Sequence, residues 1–122
     1  MSQLDQQAQQ LLSIEGATGA AVVDIASGMA LATAGTPGFD LTVAAAGNAN
    51  VIRAKLKTMS ELGLQSTLED IMITIDGQYH LINALSGDGK NGLFIYLVLD
   101  QRIANLALAR HKVKGIAASI TV

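Results

Sequence analysis

The chain has 122 residues, half of them apolar, with eight Lys and Arg against ten Asp and Glu for a net charge of −2; that length carries a real core without metal or disulfide staples. The charge balance lacks the basic excess that a nucleic-acid backbone demands, and the absence of Cys removes disulfides, thiolate metal ligands and a Cys nucleophile together. Neither a signal-peptide pattern after Met1 nor an apolar run near the ~20 residues that span a bilayer is present, so the composition points to one cytoplasmic domain over residues 1–122 without membrane insertion.

Helix formers with Leu4, Leu11 and Leu12 on a shared spacing predict a first helix over about Gln3 to Leu12, ended by Gly16 and Gly19. Ala20 to Ile25 reads as a strand, Ala26-Ser-Gly28 as a tight connection and Met29 to Ala34 as the returning strand. From Asp40, a plausible N-cap, Leu41, Ala44, Ala45, Asn48, Ile52, Leu56 and Met59 recur at three- and four-residue steps. This is a long central helix, closed by Gly63.

Leu68 to Ile75 is rich in β-formers, and Asp76-Gly77 is a two-residue hairpin signal that turns it back into Gln78 to Leu85. Ser86 to Gly92 is a loop. Leu93 to Leu99 is a run of seven apolar residues, suited to a strand covered on both faces, as is the 71–75 stretch. Asp100 then stands as a cap for a last helix over about Gln101 to Lys114, followed by Gly115 and a short tail. The expected class is α/β: a five-stranded, mainly antiparallel sheet with helices on both faces.

The order of these elements resembles the Roadblock family of dynein light chains and bacterial regulators of Ras-like GTPases. The residues that carry the resemblance are Gly19-Ala-Ala-Val-Val-Asp24, Gly28-Met-Ala-Leu-Ala, the Ala-rich central helix and Asn105-Leu-Ala-Leu-Ala-Arg110. The likeness spans about residues 3–114 and implies an αββαβββα sandwich. It further implies a dimer in which the third strand and the central helix meet their counterparts, which places Ile71, Ile73 and Ile75 with Ala44, Ala45, Asn48 and Ile52 at the interface. A small GTPase would sit over the paired helices, with Arg53 and Lys57 as candidate contacts. The strand Ile71-Met-Ile-Thr-Ile75 supports the dimer on its own terms, because an edge strand without Pro or Lys is an aggregation hazard unless it is covered.

Other patterns have plainer readings. Gly87-Asp-Gly-Lys-Asn-Gly92 lacks the spacing of a phosphate loop and joins two strands. His80 and His111 have no metal-ligand partners; the first suits a core or interface position and the second a surface cation. Ser86, His80 and Asp100 make a triad only on paper, without a nucleophile elbow. The expected function is therefore a non-enzymatic regulatory or adaptor homodimer acting without a cofactor. The alternatives are a dimeric scaffold with no GTPase, or a PAS-like small-molecule sensor, which would require a ligand cavity.

Overall fold

The computed structural model describes residues 2–87 and 90–120. Helix α1 (Gln3–Leu11) opens with a capping box: Ser2 Oγ accepts from the Asp5 amide at 3.1 Å, and the Asp5 carboxylate accepts from the Ser2 amide. The hairpin β1 (Ala17–Asp24) and β2 (Ala30–Gly35) follows, then α2 (Leu41–Glu61), β3 (Asp70–Ile75), β4 (Gln78–Ala84), β5 (Leu93–Asp100) and α3 (Leu106–Ser119). The element order and class match the expectation, and every strand pair is antiparallel.

The spatial order of the sheet is β2-β1-β5-β4-β3. This puts the most apolar segment, β5, in the centre, where Leu93 to Leu99 are all buried. Alternation along the strands then makes two cores. On one face Ala21, Val23, Ile82, Phe94, Tyr96 and Val98 meet Leu41, Ala45, Ala49 and Ile52 of α2. On the other face Val22, Leu81, Ile95, Leu97 and Leu99 meet Leu11 of α1 and Ala109, Val113 and Ile116 of α3.

Two turns depend on glycine. Gly77 (φ +84°) lets the two-residue Asp76-Gly77 turn close directly on the Ile75–Gln78 pair. Gly28 (φ +75°) brings the β1–β2 turn under α2, where an added Cβ would lie 3.3 Å from Ala46 Cα.

Three local expectations are corrected. Asp100 does not cap the last helix: its carboxylate accepts from the Arg102 amide at 2.9 Å and pairs with the Arg102 guanidinium, while its carbonyl accepts from the Ile103 and Ala104 amides in a tight turn. The true N-cap is Asn105, whose Oδ1 accepts from the Leu108 amide at 3.0 Å. Gly115 does not end α3 either, because packing of Ile116 and Ile120 on the sheet carries the chain on to Ser119. Lys90 Nζ donates to the Ala117 and Ala118 carbonyls, satisfying acceptors that the helix end leaves open. That contact also gives Lys90 a structural role where a phosphate loop would have needed it for an anion; its neighbours Asp88 and Gly89 lie outside the described residues. Lastly, the 71–75 stretch is not covered on both faces. β3 is an edge strand, partly open along its length.

Candidate interaction surface

α2 covers one face of the sheet with much of its own length exposed, and its two flanks differ. On one flank Arg53 reaches the β1–β2 turn, where its guanidinium donates to the Ile25 and Ala26 carbonyls and to Asn50 Oδ1. The same turn is tightened from within by Asp24, whose carboxylate accepts from the Ser27 hydroxyl and amide and is held below the usual carboxylate range by those bonds. With that flank turned to β1 and β2, helical geometry turns the Ala44, Asn48, Val51 and Lys55 flank toward β4 and β3.

On that side the chain offers partly exposed apolar side chains, with Ala44, Ile71 and Ile73 packed against the same core cluster. Ile71 and Ile73 of β3 are half-buried on the α2 face, Ile75 is 45% exposed, and Val51 on α2 is 38% exposed. Beyond them β3 presents the unpaired side of its backbone ladder, since among the described residues its only sheet neighbour is β4.

A polar chain runs beneath this surface. His80, the cross-strand partner of Ile73, is 9% exposed. Its Nδ1 lies 2.9 Å from the Tyr96 hydroxyl and its Nε2 2.9 Å from Gln78 Oε1. Phe39 covers it, with ring centroids 5.7 Å apart. Both bonds are satisfied by a neutral ring that donates from Nε2 and accepts at Nδ1 from the tyrosine. Burial lowers the His80 pKa and pushes the Tyr96 hydroxyl up to about 12, the latter opposed by a hydrogen bond from Asn48. This chain is therefore uncharged at neutral pH and supports packing rather than proton transfer.

The residues singled out from sequence fall into three groups. Ala44, Asn48, Ile71, Ile73 and Ile75 lie together along the α2 flank and β3. Ala45 and Ile52 do not: both are 0% exposed, because they face the protein's own sheet and fill its core. Arg53 and Lys57 also separate, since Arg53 is committed to the β1–β2 turn whereas Lys57 is exposed. The sequence pattern does not single out Val51 or Phe39, and it sets Lys55 only among the cations of the central helix with Arg53 and Lys57. Val51 and Lys55 continue the Ala44–Asn48 spacing, but that stripe runs parallel to Leu41–Ala45–Ala49–Ile52, and periodicity alone does not say which of the two meets the sheet.

No protein-family model matches the sequence, and a search of curated proteins finds no significant match. Solved structures do match. The Roadblock/LC7 domain from Streptomyces avermitilis superposes with a TM-score of 0.80 at 14% identity, covering 97% of this chain and 94% of that one. The chain thus has the Roadblock/LC7 fold. Myxococcus xanthus MglB gives 0.81 at 18% identity over 97% and 91% of the two chains, and the gliding protein MglB from Thermus thermophilus gives 0.68 at 18% identity over 98% and 95%.

Proposed function

We propose that this chain is a dimeric regulatory module in which β3 and the Ala44–Asn48–Val51–Lys55 flank of α2 meet their counterparts in a second copy, and the paired α2 helices receive a Ras-like small GTPase. The observation that carries the dimer is the unguarded β3 edge, which presents open hydrogen-bonding groups beside the half-covered Ile71, Ile73 and Ile75. Antiparallel pairing with a second β3 would satisfy the ladder and bury those side chains in one step. A structure of the similar MglB in a tetrameric arrangement (TM-score 0.75, 18% identity, 93% and 82% of the two chains) supports self-association.

The GTPase rests on the Roadblock resemblance, joined to the chemistry of the outer helix surface. Lys55 and Lys57 are exposed there, and a dimer would bring two such pairs to one face, suited to an acidic partner surface. The GTPase would supply its own catalytic groups, with this protein positioning them. Affinity purification in parallel with GDP and a non-hydrolysable GTP analogue, read by mass spectrometry, tests this part. Enrichment of a small GTPase in one nucleotide state is expected; its absence from both leaves the dimeric scaffold as the function. Lys57→Glu, off the flank proposed to pair, should weaken the captured complex without dissociating the dimer, and unchanged capture would move the contact off α2.

A further inference from the structure

On the sheet face away from α2, a cleft of about 380 Å³ opens between the C-terminal half of α3, the end of β4 and the segment leading into β3. Its volume falls at the small end of the range of about 300–1,000 Å³ over which small-molecule pockets are found. One wall is apolar, formed by residues such as Leu85. Asn83 also lines it. This residue is only 6% exposed and its side chain makes no hydrogen bond among the described residues, while its polar atoms are not shut off from solvent, so the amide is open to the cleft.

The charged groups around the cleft are divided in a way that suits a ligand. Arg110 is taken up by Asp70, with its guanidinium making two bonds to the carboxylate at 2.9 and 2.7 Å. Lys114, one turn further along α3, and Glu69, immediately before β3, both line the cleft and form no ion pair among the described residues. The Thr67 and Ser86 hydroxyls complete the polar lining. The Glu69 backbone is fixed in place, its carbonyl accepting from the Ala84 amide at 3.1 Å.

We propose that this cleft binds a zwitterionic ligand of amino-acid or dipeptide size. Lys114 receives its carboxylate and Glu69 its ammonium group. The Asn83 amide, a donor and an acceptor at once, pairs with an amide or side-chain polar group between them. A ligand held here would bridge α3 to the start of β3, the strand that carries the proposed dimer edge.

Uniformly ¹⁵N-labelled protein, titrated separately with each of the twenty common amino acids and with the dipeptide Ala-Gln, tests the site. At least one probe should shift the Asn83 side-chain amide resonances saturably, with a Kd below about 1 mM, and Asn83→Ala or Lys114→Gln should weaken that binding at least ~10-fold. Lys114 is on an exposed helix surface, so its variant reports even where Asn83→Ala perturbs folding. Absence of a saturable shift with every probe up to about 10 mM, or a Kd that Lys114→Gln leaves unchanged, overturns the assignment.

Discussion

Arg53 stands among the cations of a long helix, yet its guanidinium is spent on the Ile25 and Ala26 carbonyls and on Asn50. Its removal therefore acts on the fold before it acts on any partner. Arg53→Ala is expected to lower stability by about 1–3 kcal/mol, the range for lost hydrogen bonds to a charged donor and a freed turn, measured by urea unfolding; an unchanged midpoint would show the clamp to be idle. His80 gives a second expectation. Burial depresses its pKa in the folded state below the ordinary 6.5, so the neutral form is favoured by folding. Its stabilising contribution is complete above that ordinary value and is lost as pH falls through the lowered folded one. Urea midpoints of wild type and His80→Gln compared between about pH 8 and pH 5 should diverge least at the acid end, where the wild type has lost its advantage. A difference that stays constant across the range would remove His80 as the cause.

At the scale of elements, α3 is the clearest case of competing local signals. Asp100 and Asn105 are both good cap residues, and the sequence places the first directly after the apolar strand. The carboxylate of Asp100 is instead occupied by Arg102, while Asn105 caps the helix. Asn105→Ala should cost about 1 kcal/mol in stability. Asp100→Asn would act only on the preceding turn, leaving the protection of the first α3 amides in hydrogen exchange unchanged. Loss of that protection in Asp100→Asn would restore Asp100 as the helix determinant. The far end of α3 follows the same logic, since Gly115 lowers helix propensity but the burial of Ile116 and Ile120 outweighs it.

For the molecule as a whole, the open β3 edge sets the expectations. A dimer formed there makes thermal stability rise with protein concentration, because only the folded state associates. Light scattering after size exclusion should show a dimer at tens of micromolar, roughly the range in which such linkage is visible. Ile73→Lys, which sets a charge on the half-buried middle of that edge, should give monomer or insoluble protein. A monomeric wild type would leave β3 without its proposed cover.

Much of this architecture was legible beforehand because its signals are local. A seven-residue apolar run, the Asp76-Gly77 turn and the change of period at Asp40 each specify an element without reference to anything distant. Together with the element order they were enough for the Roadblock/LC7 fold. What the sequence left open was decided by which groups meet in space. The two parallel stripes of α2 have the same spacing, and only the sheet beneath selects Ala45 and Ile52 for the core and leaves Ala44, Asn48 and Val51 at its flank. Arg53 was committed by a turn 28 residues away, and Lys90 by the end of a helix 27 residues on. Polar side chains find partners through tertiary geometry, which periodicity does not encode, so the elements followed from the sequence while the roles of its charged residues awaited the fold.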